Sequence, residues 1–200
     1  VATYDALATP RFRNRIVMRS STNVYQLSTL AARIERLGAE NARAWAAGVR
    51  ANFVRDPQGA DTDQIKAVGT GEAQATLCNH YYYFRMTQSE DPADRATVAN
   101  TGLVFPDQAG AGTHVNISGG GVTAHAQRRD NAVRFLEYLV SDEAQTMLAP
   151  LNSEFPIRPT IAPSPALAAL GEFKEENIPL DALGRLQAEA ARIFEEVGWR

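Results

Sequence analysis

The sequence predicts an α/β architecture, on three observations. Short apolar runs of strand length alternate with longer segments whose apolar residues recur at helical spacing. N-cap residues, glycines and prolines mark the ends of those segments. No internal repeat and no low-complexity tract interrupts the alternation.

Taken in order, residues 3–9 (TYDALAT) read as a short helix ahead of Pro10, and residues 15–19 (RIVMR) as a short strand. Ser20, Ser21, Thr22 and Asn23 are all good N-cap types. Val24, Leu27, Leu30, Ala31, Ile34 and Leu37 then follow at helical spacing until Gly38 ends the run. A second helix is expected over 40–54, with Trp45, Val49 and Phe53 on one stripe, and a turn at 56–59. Asp61 or Thr62 caps a short helix through Val68, closed by Gly69 and Gly71. Residues 73–78 read as a strand that runs straight into the stretch His80-Tyr81-Tyr82-Tyr83. Residues 88–96 read as polar loop, 101–105 as a strand, and 107–113 as a Gly-rich connection. Gly119–Gly121 suit a sharp bend beside a cleft. A helix follows with Ala132, Val133, Leu136, Leu139 and Val140 apolar, and Ser141 caps another through Leu148. The prolines of 156–165 predict an extended linker, and 180–197 a last amphipathic helix.

Two hundred residues suit one large domain or two small lobes. With 44% hydrophobic and 22% charged residues the composition is that of a globular protein, and no apolar run approaches the roughly 18 residues of a membrane span. A net charge of −3 leaves no basic footprint for nucleic acid. Cys78 is the one cysteine, read as a small buried hydrophobe, and no Cys/His metal spacing exists. The first residues hold no basic n-region or apolar h-region, so targeting signals do not reveal the compartment.

The candidate chemistry centres on the tyrosines. A strand end that passes into a helix start is where α/β proteins place ligand contacts. Phenolate is a hard, anionic oxygen ligand, and a strongly charged cation removes the phenol proton that otherwise leaves near pH 10. Hardness matching then favours a trivalent ion such as Fe(III) over Cu(I) or Zn. Packing residues with surface hydroxyls, and a stacking platform for an organic ligand, are the other readings of Tyr81–Tyr83. The Ser20–Asn23 cluster offers free helix-start N–H groups and hydroxyls to an anion, or serves simply as a cap, with Tyr25 in the first turn of the same helix. His80, His114 and His125 have no metal-ligand spacing and read as surface or capping histidines. No GxSxG, HExxH, Walker A or GxGxxG pattern supports an enzyme.

Several segments together carry a resemblance: "RSSTNVYQLSTLAA" (19–32), "WAAGVRANFVRDPQGADTDQIKAVGTGEA" (45–73), "NHYYYFRM" (79–86), "LVFPDQAGAGTHVNISGGGVTAHAQ" (103–127), "AVRFLEYLVSDEAQ" (132–145) and "SEFPIRP" (153–159). In this order they closely resemble the periplasmic ferric-iron-binding proteins of bacterial ABC transporters, within the extracellular solute-binding proteins. The resemblance implies a type II periplasmic-binding-protein fold with two lobes and a hinge. It implies Fe(III) ligation by Tyr81 and Tyr82, with Tyr25 as a third phenolate and Tyr83 outside the set. It also implies a synergistic anion such as carbonate or phosphate, with Arg19, Ser20, Ser21, Thr22 and Asn79 in matching neighbourhoods. The implied partner is an ABC permease in the inner membrane, with no catalytic turnover. Members of the family are longer, so the chain is expected to lack the N-terminal part. Its segments are then residues 1–103 in the second, tyrosine-bearing lobe, 104–160 as crossover and returning part of the first lobe, and 161–200 as C-terminal helices of the second. A binder of an organic or phosphonate ligand on the same fold is the alternative.

Overall fold

The computed structural model describes residues 2–200. Its helices are α1 Val24–Leu37, α2 Ala39–Arg50, α3 Asp61–Gly69, α4 His80–Thr87, α5 Pro92–Ala99, α6 Arg129–Leu139, α7 Asp142–Leu151, α8 Pro165–Ala168, α9 Leu180–Arg185 and α10 Gln187–Glu196. Before them stand two 3-10 turns, Asp5–Ala8 and Pro10–Phe12, where the sequence predicts one helix, because Pro10 lacks the N–H that would continue the first turn.

The predicted strands are reduced to isolated parallel bridges. Ile16 pairs with Phe53 on one side and Ala75 on the other. Around it, Val54 N–H donates to Ile16 O, Gln74 N–H to Arg15 O and Val17 N–H to Ala75 O. Ile16, Val17 and Met18 are buried, as a parallel segment covered on both faces requires. Residues 101–105 form no bridge among the described residues. Phe53 therefore does not extend α2: its backbone pairs with Ile16 and its ring packs edge-on against Trp199 at 4.9 Å.

Four other expectations are corrected. Residues 92–99 are helix rather than loop, started by the Asp91 carboxylate accepting from Ala93 N–H and by Pro92 in the first turn. Ala60, not Asp61 or Thr62, is the N-cap of α3, and the Asp63 carboxylate accepts its N–H at 2.7 Å. The segment 156–165 is tied back to α7: Ile157 N–H donates to Gln145 Oε1 at 3.0 Å, and Arg158 pairs with Asp142 at 2.8 Å. The last amphipathic run is broken at Leu186 into α9 and α10.

The chain forms two compact units, Val1–Asn116 with Phe173–Arg200, and Ile117–Glu172. These divisions fall later in the chain than the segment boundaries read from the sequence. In the first unit α1 packs on α2, α9 and α10. Trp199 is fully buried among Phe194, Phe53 and Trp45, and its Nε1 donates to Arg19 O at 2.9 Å. Gly112 has φ +100, and a Cβ there would lie 2.6 Å from the Glu175 carbonyl, so a glycine lets Thr113 bridge Glu175. In the second unit Ser141 caps α7 as predicted, its hydroxyl accepting from Ala144 N–H. Gly120 lies against α6, where a Cβ would come 2.9 Å from Leu136.

Candidate metal centre

Two helix starts of the first unit build the centre. Asn23 caps α1 by accepting from Tyr25 N–H at 3.0 Å and Gln26 N–H at 3.4 Å, which fixes Tyr25 as the second residue of the helix. Asn79 is the N-cap of α4, which puts Tyr81 at the second helical position and Tyr82 at the third. These tyrosines thus stand in first turns, at the positive end of each helix dipole, where an anionic oxygen is favoured.

The hydroxyls of Tyr25 and Tyr81 are 2.8 Å apart. The rings of Tyr81 and Tyr82 lie 4.4 Å apart and tilted, and the Tyr25 and Tyr82 rings 6.4 Å apart. Arg85 stands over the Tyr81 and Tyr82 rings at 5.1 and 5.8 Å. Tyr83 points elsewhere: its hydroxyl donates to Thr101 O at 3.3 Å. Phe84 on the same helix is buried packing.

Burial pushes the Tyr82 phenol well above its ordinary range, and hydrogen bonds with Tyr81 and Tyr25 push it further. Burial also raises Tyr81, with the Tyr25 hydrogen bond adding to it, while hydrogen bonds from Tyr82 and Asn79 act the other way. At neutral pH these two phenols stay protonated until a cation replaces their protons.

Among the anion candidates, Arg19 ion-pairs with the buried carboxylate of Asp61, and its Nε is buried without a partner. Burial raises the Asp61 carboxyl and Arg19 opposes that rise. The hydroxyls of Ser20 and Thr22 are 3.0 Å apart, Thr22 N–H donates to Ser20 Oγ, and Ser21 is half-buried in the same turn. Asn79 sits between Tyr81 and Asn116: its Nδ2 donates to Tyr81 Oη at 3.4 Å, and its Oδ1 accepts from Asn116 Nδ2 at 3.0 Å.

Burial pushes the Cys78 thiol up to about 12, so it stays an un-ionised thiol. His114 departs from the surface position expected of it. Its side chain is only 6% exposed, it faces Glu176, and Arg36 pairs with that glutamate at 2.8 Å. The reason is the Thr113–Glu175 bridge, which carries the next residue of each segment inward. Asn116 and Ser28 were not singled out from the sequence. Only the motif order around residue 114 marked that stretch. Among the described residues no group of three or more His, Cys, Asp or Glu could hold a metal.

The model of the bacterial extracellular solute-binding proteins matches residues 1–175. The chain belongs to this family. This solute-binding protein is 46% identical over 200 residues to iron uptake protein A1 of Synechocystis, covering 100% of itself and 56% of that protein. It is 24% identical over 193 residues to the major ferric iron-binding protein of Neisseria meningitidis serogroup B, again spanning 56% of it. Among solved structures it matches apo FutA2 of Synechocystis with TM-score 0.96 and 44% identity, covering all of this chain and 64% of that one. Trichodesmium FutA in complex with iron and citrate gives TM-score 0.96 and 42% identity over 63% of its length. The chain thus spans about three fifths of the length of these relatives. Its fold is the corresponding, helix-rich part of the type II periplasmic ferric-binding proteins. No helix among the described residues is long and apolar enough to cross a membrane.

Proposed function

We propose that this chain carries the tyrosine side of a ferric-iron site, with Tyr25, Tyr81 and Tyr82 as phenolate ligands. The observation that carries the reading is the convergence of the Tyr25 and Tyr81 hydroxyls at 2.8 Å, from two helix starts, with the tilted Tyr82 ring 4.4 Å from that of Tyr81. Three phenolates match the charge of a 3+ ion, and their hard oxygens suit Fe(III). Arg85 and the two helix dipoles offset the repulsion of gathered phenolates. The names of the relatives, iron uptake and ferric iron-binding proteins, support the same cargo.

The Ser20–Thr22 turn, with Arg19 and Asn79, is the proposed seat of a synergistic anion such as carbonate or phosphate, which would fill the remaining coordination. In the complete protein the tyrosine-bearing lobe would comprise residues 1–103 and 161–200, and 104–160 would cross to the other lobe. That protein would capture ferric iron in the periplasm and deliver it to an ABC permease of the inner membrane, without catalysis.

The test is visible absorption. Purified protein titrated with ferric citrate is expected to develop a phenolate-to-iron charge-transfer band, which Tyr81→Phe and Tyr82→Phe remove and Tyr83→Phe leaves in place. A folded protein that stays colourless overturns the reading.

A further inference from the structure

A line of hydrogen bonds leaves the tyrosines and runs inward through side chains that metal ligation does not use. Asn79 donates to Tyr81 Oη at 3.4 Å, and Asn116 donates to Asn79 Oδ1 at 3.0 Å. Ser28 Oγ lies 2.6 Å from Asn116 Oδ1, and His114 Nε2 lies 3.2 Å from Ser28 Oγ. At the inner end His114 Nδ1 is 3.7 Å from Glu176 Oε2, with both side chains buried.

The shortest contact gives this line a direction. Ser28 has one hydroxyl hydrogen and three acceptors in reach, Asn116 Oδ1 at 2.6 Å, Tyr25 O at 3.0 Å and, in the tautomer that carries its hydrogen on Nδ1, His114 Nε2 at 3.2 Å. Donated along the shorter contact, that hydrogen holds the oxygen of the Asn116 amide toward Ser28 and its NH2 toward Asn79. Ser28 Oγ also meets His114 Nε2 at 3.2 Å, a contact whose donor is set by the imidazole tautomer. The Asn79 amide cannot turn over alone, because its NH2 would then face the NH2 of Asn116. From Ser28 outward each link then donates toward Tyr81, and the last presents an N–H to the phenol oxygen.

We propose that Asn116 is a positioning residue for Tyr81, and that Ser28 and His114 set the orientation of its amide. This rests on the tyrosine reading above. Asn116 is also the last residue of the first unit, so the amide that orients the ligand oxygen stands where the chain leaves for the second unit. The Asn79–Asn116 pair thus ties that exit to Tyr81.

The test uses the full chain titrated with ferric citrate, reading both affinity and the position of the charge-transfer band. Asn116→Asp keeps the shape and the acceptor for Ser28 but removes the N–H that orients Asn79. It is expected to weaken iron binding about 10–100-fold, the range for outer-shell partners, and to shift the band. Ser28→Ala should do the same more weakly, and Ser28→Thr should restore the wild-type band. Melting curves of the metal-free variants identify any that fail to fold. The proposal is overturned if wild-type protein is coloured and folded Asn116→Asp and Ser28→Ala match it in band and affinity. A colourless wild type instead defeats the tyrosine reading itself, and this inference with it.

Discussion

The amphipathic helices α1 and α6 meet different fates in the two units. In α1 the apolar stripe is hidden: Leu30 and Ala31 are 0% exposed and Ile34 6%. In α6 no residue is buried: Phe135 and Tyr138 stay 59 and 39% exposed, and Val140 at its C-cap 47%. An apolar stripe alone does not make a core. Burial needs a second apolar surface, which α2, α9 and α10 supply for α1. The difference bears on function, because the tyrosines stand on the unit whose helices are locked by such packing. A ligand set held to fractions of an ångström needs rigid supports.

The largest expected effect tests that contrast directly. Trp199→Ala, at a fully buried site, should cost about 3–5 kcal/mol in urea denaturation, the range for an aromatic removed from a core. Phe135→Ser on α6 should change stability by less than about 0.5 kcal/mol. Equal costs at the two positions would break the comparison.

Next comes Asp61→Ala. It leaves the Arg19 guanidinium without its carboxylate and should cost about 3 kcal/mol, near the lower end for a broken buried pair because Arg19 is 22% exposed. The same substitution should loosen the Ser20–Thr22 turn, seen as faster amide exchange there. Gly112→Ala is expected to cost about 1–3 kcal/mol, since the new Cβ strains a left-handed backbone and strikes the Glu175 carbonyl. It should also uncouple His114 from Glu176, which the imidazole NMR signals would report.

Smaller, but opposite in sign for two states of the same site, is the response to pH. The raised Tyr81 and Tyr82 phenols stabilise the metal-free fold while protonated, so that contribution is complete below about pH 10 and is lost as pH rises further. Iron binding expels those protons, so iron retention should weaken as pH falls. Melting curves of the metal-free protein and band intensity of the iron-loaded protein separate the two. The smallest effect belongs to Arg192→Ala, which removes exposed pairs with Glu189 and Glu196 and should stay within about 0.5 kcal/mol.

What the sequence determined by itself was local. Asn23 and Gly38 bound α1, Ser141 opens α7, and an Asn-x-Tyr pattern sets tyrosines into the first turns of α1 and α4. Such signals act between residues two to four positions apart, where the chain has no choice of partner. The Asp-Pro start of α5 was just as local, and was obscured by the polarity of the residues around it. Tertiary structure alone decided the rest. Tyr25 meets Tyr81 across 56 positions, Phe53 leaves its helical stripe to pair with Ile16, and His114 is drawn inward to Glu176. Contacts of that reach depend on how packed helices and paired backbones fall against one another, and no spacing within one segment encodes them.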